Sequence, residues 1–359
     1  MSGRSPRSWL PALALALLSL AGTLLAAEVV LRVRKHAGLS HPDPADAVRL
    51  IGETYPASYD ATLGYAPTPG ARVTLAGAPV AIDARGLREN GNEPPPQSDL
   101  PSVLAVGDSF TFGDEVDDRS TWPSSLERRL GQRVWNGGVF GYGLDQIALR
   151  AEQLAPALAP SVLVVSMIPD DVSRCEDSYR FAHKPWFELE GSGLALRNVP
   201  VPRPEAPPPG DSALRRLLAR SFLADLVLRR LDPLGWPLRG SVRVQRDGGA
   251  VSAALVDRFA DIASQRGMRL LLVAGWHPAA RSDLLDPVRE RARERGIELL
   301  ELQPVLIREI DTHSGDWSGL FHSAVRYGGQ AGHMTPFGND LVAAAIAERL
   351  RVPATAENR

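Results

Sequence analysis

The chain has 359 residues, 44% of them hydrophobic, enough to bury a sizeable core in one large domain. Forty Lys and Arg nearly balance 42 Asp and Glu, for a formal net charge of −2, which leaves no broad basic field for nucleic acid. Cys175 is the single cysteine, so neither an intrachain disulfide nor a thiolate metal cluster is available, and the seven histidines include no helical i, i+4 pair beside an acid. No cofactor is implied.

In chain order, the first element is an uncharged run of twenty residues from Ser8 to Ala27, rich in Leu and Ala. As a helix it matches the ~30 Å hydrocarbon thickness of a bilayer. The best signal-cleavage candidate, Leu25-Ala26-Ala27, lacks the small residue at its first flanking position, and the apolar run resumes at Val29, Val30 and Leu31. An uncleaved single-pass anchor within residues 1–35, contacting the membrane through residues 8–31, is therefore expected. Arg4 and Arg7 before the run place the rest of the chain outside the cytoplasm, while Arg32, Arg34 and Lys35 after it pull the other way.

Residues 36–98 are rich in Pro, Gly and Asp and read as an irregular lead-in, with short patches such as "ARVTLAGAPVAID" that could be strands. From Ser102 the pattern changes. The runs "SVLAV", "VLVVS", "MRLLLVAG" and "GIELLEL" are short, apolar and bounded by turn residues, as strands of a parallel sheet buried on both faces are. Apolar residues at helical spacing fall between them, over 122–130, 144–155, 251–266, 284–295 and 338–350. The alternation predicts an α/β domain with three layers, α/β/α, over 100–350, and functional residues in the loops after the strands' carboxyl ends. Residues 351–359 form a tail. From about 180 to 249 the alternation breaks, so this stretch reads as an insertion that covers or borders the site. Its "SALRRLLARSFLADLVLRRL" predicts a helix packed on the main domain, or one that contacts a membrane surface or a second copy.

The strongest local signal is "LAVGDSFTFGDEV", which sets Gly107-Asp108-Ser109 directly after a buried strand. A tight turn there can expose a serine hydroxyl beside free backbone N–H groups at a helix start. Asp108 itself reads as a turn-stabilising residue. "VGDSFTFG", "VWNGGVFGYG", "LVVSMIPDDV" and "GGQAGHMTPFGNDLVAAAIAERL" follow one another in the order of the four blocks of the SGNH/GDSL hydrolases, and over residues 100–350 the chain resembles that superfamily. The resemblance implies a flavodoxin-like parallel sheet and acyl transfer to water. It makes Ser109 the nucleophile and an oxyanion N–H donor, Gly141 a second donor and His333 the general base.

Two positions depart from the family pattern. The third block normally ends Asn-Asp, the Asn amide being an oxyanion donor, but here the pair is Asp170-Asp171. An ionised Asp170 accepts rather than donates, and only a protonated one could replace the amide. The acid that normally stands three residues before the histidine is Gln330, whose amide can orient an imidazole but stabilises its cation little. A retuned site in which Asp170 supplies the acid is one solution; Asp311, Asp316 and Asp340 are other candidates for pairing with His333. Trp276 and His277, after the strand "MRLLLVAG", are candidate substrate contacts. The reading that follows is a membrane-tethered extracytoplasmic serine esterase for a small-molecule, lipid or glycan ester. The alternatives are an O-acyltransferase, and a non-catalytic module of the same fold binding envelope glycan or a partner protein.

Overall fold

Successive residues of a strand point to opposite faces, and here both faces are buried. In the strand Val103–Val106, Leu104 and Val106 enter one apolar cluster while Val103 and Ala105 enter another. The computed structural model describes residues 9–34, 55–94, 100–180, 182–191, 193–203, 213–218, 220–231, 241–276, 283–313, 315–322 and 332–352. His277 and Gln330 lie outside the described residues.

The apolar run forms α1 (Leu10–Arg34), none of whose residues is buried. Two antiparallel hairpins follow, β1 (Ala57–Asp60) with β2 (Gly64–Pro67), and β3 (Arg72–Leu75) with β4 (Ala78–Ala81). Within the described part of the lead-in, these two hairpins supply the short strands that patches such as "ARVTLAGAPVAID" suggest. Its hairpins bury Tyr65, Leu75, Val80 and Ile82 against the main body.

The main sheet and its helices come next: β5 (Val103–Val106), α2 (Ser109–Phe112), α3 (Trp122–Leu130), β6 (Val134–Asn136), α4 (Leu144–Leu158), β7 (Val162–Ser166) and α5 (Pro169–Arg174). The insertion contains β8 (Asp177–Arg180), β9 (Ala182–His183), the hairpin β10 (Trp186–Glu190) and β11 (Gly193–Arg197), α6 (Ala213–Leu218), α7 (Phe222–Leu231) and β12 (Ser241–Arg243). The chain returns through α8 (Gly248–Ser264), β13 (Arg269–Ala274), α9 (Asp286–Glu294), β14 (Glu298–Glu301), α10 (Gln303–Thr312) and α11 (Pro336–Arg351). The five parallel strands lie in the order β14-β13-β7-β5-β6. By rank along the sheet's own chain order this is 2-1-3-4-5 read from the β6 edge, the flavodoxin-like arrangement, whose ligand crevice opens where the order reverses, between β5 and β7.

One face is covered by α4, α8 and α9, through Ile147, Leu255, Phe259 and Val288. The other is covered by α3, α10 and α11, through Leu126, Leu306, Val342 and Ile346. The three layers are thus α/β/α, as the strand and helix alternation requires. The helix expected over 212–231 is instead two, α6 and α7. The break comes at Ser221, whose Oγ accepts from Ala224 N at 3.1 Å and so caps a new helix start. Helix α7 packs against α1.

Candidate active site

Two loops at the carboxyl ends of the sheet, and the segment before α11, carry polar residues toward the crevice. The first leaves β5 through Gly107, where a Cβ would lie 2.2 Å from Thr111 Oγ1 and 2.9 Å from Ser166 O, so only glycine lets β5 turn so closely against β7. Asp108 caps the one-turn helix α2, its carboxylate accepting from Phe110 N at 3.0 Å. Ser109 is thereby the first helical residue, where a backbone N–H has no intrahelical acceptor. The second loop follows β6. Val139 N donates to Gly107 O at 3.0 Å, pinning the loop to the first one, and two residues later Gly141 takes φ +71°, a left-handed conformation natural to glycine.

His333 comes from the far end of the chain, just before α11. Thr335 caps that helix, accepting from Gly338 N at 3.1 Å. The His333 Nε2 stands 2.9 Å from Ser109 Oγ. Behind it, Glu115 Oε2 lies 3.4 Å from His333 Nδ1 and accepts from the His333 backbone N–H at 3.1 Å. A second carboxylate, Asp114, is buried with Oδ2 3.9 Å from His333 Nε2, and accepts from the Tyr55 hydroxyl at 2.6 Å. Phe110 lies against the imidazole, with ring centroids 5.1 Å apart.

Burial by itself disfavours the His333 cation, but the Glu115 hydrogen bond and the negative charges of Asp114, Asp108 and Glu115 outweigh it, so the imidazole is more basic than usual. Burial also raises the Asp114 carboxyl, against the pull of His333, Tyr55 and Arg88.

The loop that carries Asp114 and Glu115 follows α2 and is held from below by Arg88. This buried guanidinium donates to Phe112 O at 2.8 Å, to Gly113 O, to Val116 O at 2.6 Å and to Asp118 at 3.0 Å. Glu115 itself has φ +69°, an uncommon conformation for a non-glycine residue, which these contacts over-determine.

On the other side of Ser109, Asp108 Oδ2 accepts from Arg174 at 3.2 Å, and the same guanidinium nitrogen donates to Asp171 at 2.6 Å and to Tyr142 O at 2.9 Å. Burial and the adjacent Asp108 push the Asp171 carboxyl well above the carboxylate range, against the attraction of Arg174.

Of the other residues singled out in the sequence, Asp170 has a side chain 69% exposed, with Arg174 at 3.9 Å as its ion-pair partner. It therefore supplies neither an amide donor nor the acid behind the imidazole. Asp311 is exposed on α10. The exposed Asp316 accepts from Ser318 N at 2.8 Å, and Asp340 pairs with Arg129 at 2.6 Å, away from His333. Trp276 is fully buried between Phe110 and Trp122, with ring centroids 5.5 and 6.3 Å away, a core residue rather than an open substrate contact. Glu115 and Asp114 are the residues that sequence reasoning missed. The signal available was their place in "FGDEV", one turn past Ser109. Among the described residues, no group of three His, Cys, Asp or Glu side chains is arranged to hold a metal ion.

No family model matches the sequence, and no curated protein matches it. Among solved structures the chain is similar to a G-D-S-L family protein from Desulfitobacterium hafniense, with 15% identity over 69% of this chain and 99% of that one, at a TM-score of 0.39. It is also similar to an acetylxylan esterase from Geobacillus stearothermophilus, with 14% identity over 70% and 94% of the two chains and a TM-score of 0.41. An α/β hydrolase from the metagenome of Lake Arreo, Spain, has 15% identity over 69% and 94%, with a TM-score of 0.41.

Proposed function

We propose that this chain is a serine ester hydrolase, tethered to a membrane by α1 with its main domain outside the cytoplasm, in which Glu115, His333 and Ser109 form the acid-base-nucleophile series. The carrying observation is the contact of 2.9 Å between Ser109 Oγ and His333 Nε2, with Glu115 on the opposite ring nitrogen.

With Glu115 ionised, Nδ1 keeps its proton and Nε2 is left as the acceptor, the tautomer a general base requires. Ser109 Oγ attacks the ester carbonyl carbon while its proton passes to Nε2. The negative charge that develops on the carbonyl oxygen is taken up by the Ser109 and Gly141 backbone N–H groups. Nε2 then returns the proton to the departing alkoxide, leaving an acyl-serine. Water, deprotonated in turn by Nε2, releases the acid. Glu115 offsets the imidazolium charge in both steps. This role answers the loss of the acid at position 330: the carboxylate comes from the nucleophile's own loop instead of from the histidine's.

Asp170 offers no N–H, so the oxyanion site rests on two backbone donors, and a missing donor costs about 10²–10³ in rate. The extracytoplasmic placement points to an acylated glycan or lipid of the envelope as substrate.

The test is hydrolysis of a short-chain aryl acetate by the full chain in detergent, beside Ser109→Ala. Release of acetate that disappears in the variant is expected. Equal rates for the two proteins would overturn the hydrolase reading and leave an acyltransferase lacking its acceptor, or a binding module.

A further inference from the structure

The uncharged part of α1 ends at Ala27, and the first charge after it is Glu28. With Ser8–Ala27 filling the hydrocarbon layer, Glu28 falls at its edge, where a carboxylate needs a polar partner. That partner is the insertion. Glu28 accepts from Ser221 Oγ at 2.8 Å, from Phe222 N at 3.1 Å and from Leu223 N at 2.8 Å, so its charge sits on the start of α7.

Arg32, one turn further along α1, secures the same junction. Its Nε pairs with Glu28 at 2.8 Å, its Nη2 donates to Arg220 O at 3.0 Å, and its guanidinium lies 5.2 Å from the Phe222 ring centroid. These bonds fix the start of α7 at the level of Glu28. The insertion exposes Leu226, Val227 and Leu231 of α7 and Leu214 and Leu217 of α6, the last three each more than 60% accessible. Residues 213–231 contain five arginines and one acid, Asp225, which is buried. Arg220 and Arg230 are exposed. Large apolar side chains beside exposed arginines, continuous with a spanning helix, have the chemistry of an element lying in the headgroup boundary.

We propose that α6 and α7 form an interfacial pad that lies on a bilayer surface bearing anionic headgroups, clamped to the membrane helix through Glu28. This rests on the reading of α1 as a membrane anchor. The pad gives the extracytoplasmic domain a second point of contact, so that it does not swing freely on its tether.

The test places a nitroxide on the full chain in nanodiscs of phosphatidylcholine and phosphatidylglycerol, at Val227→Cys or Leu231→Cys; native Cys175 is buried. Leu18→Cys in α1 is the lipid reference and Leu189→Cys in β10 the aqueous one. Collision with oxygen and with a neutral nickel chelate is read by power saturation. Labels at 227 and 231 are expected to be several-fold more protected from nickel than the label at 189, and Glu28→Gln is expected to return the 231 label toward the aqueous value while 18 is unchanged. Nickel access at 227 and 231 equal to that at 189, with 18 still protected, would overturn the pad and leave the anchor. Access at 18 as well would overturn both. Protection accompanied by dipolar broadening between singly labelled copies would overturn the lipid assignment in favour of a second copy of the chain.

Discussion

Ser109 lies between two buried clusters of carboxylates that differ in their cation. On one side Asp108 and Asp171 share Arg174, which stays charged at any working pH. On the other, Asp114 and Glu115 face His333, which titrates. The first is a clamp: it fixes the turn before Ser109 and ties α5 to it. The second is made of similar acids, yet its cation is transient, and the same negative charge becomes a means of making a base stronger. Two clusters of nearly equal composition thus serve opposite ends, and the pKa of one side chain decides which is which.

Glu115 is the residue on which the titrating cluster depends most. Replacing it by Gln leaves the shape but removes the charge behind Nδ1, and kcat for an aryl ester is expected to fall by up to about 10⁴, some 5 kcal/mol of transition-state stabilisation. The same change sharpens the titration side. Because Nε2 must be neutral to accept a proton, kcat/KM should rise with pH through a midpoint above the ordinary histidine value of about 6.5, and Glu115→Gln should move that midpoint down. The sign for stability is the reverse. With the folded pKa raised, protonated His333 contributes stability that is complete below about pH 6.5 and is lost as pH rises through the folded value.

Arg174→Met tests the clamp. It leaves Asp108 and Asp171 buried without their cation, and thermal unfolding of the full chain in detergent should show a loss of about 3–5 kcal/mol. Tyr55→Phe removes one hydrogen bond to the buried Asp114 and should cost about 1–3 kcal/mol, with the Asp114 carboxyl raised further. Asp170→Asn restores the amide that the resemblance implies at a position that is 69% exposed. Its effect on stability should stay within about 0.5 kcal/mol and its effect on aryl ester turnover should be slight. A rate increase approaching that of an added oxyanion donor, about 10²-fold, would place Asp170 in the site after all.

The sheet was legible because its strands are buried on both faces and read as unbroken apolar runs: Val103–Val106, Val162–Ser166 and Arg269–Ala274 fall within three of the segments that stand out in the sequence. That Ser109 and His333, 224 positions apart, would meet was legible from their places in blocks of a given order. Glu115 was not. "GDEVDD" is an ordinary turn composition, and nothing local distinguishes an acid that faces a histidine from one that faces water. Only the path of the chain through Arg88 and the β3–β4 hairpin decides it. The hairpins of residues 55–94 were faint for a related reason: strands of four residues carry too few alternations to separate from a Pro- and Gly-rich background. The split of the insertion helix was hidden too, since the carboxylate that takes up the free N–H groups at the start of α7 is Glu28, nearly two hundred residues upstream.

Arg88 has a bearing on how the chain can be divided. The sheet and both its helical layers begin at Val103, so a fragment cut at residue 100 would keep every strand of the α/β body. It would also keep Ser109, Glu115 and His333. What it would lack is the guanidinium that closes the carbonyls of residues 112, 113 and 116, and the phenol on Asp114. Such a fragment would hold all three proposed reacting groups with the acid-bearing loop unsupported. In this molecule the unit that folds as a sheet and the unit that holds the Ser109–His333–Glu115 arrangement together have different boundaries, and the second reaches back to Tyr55.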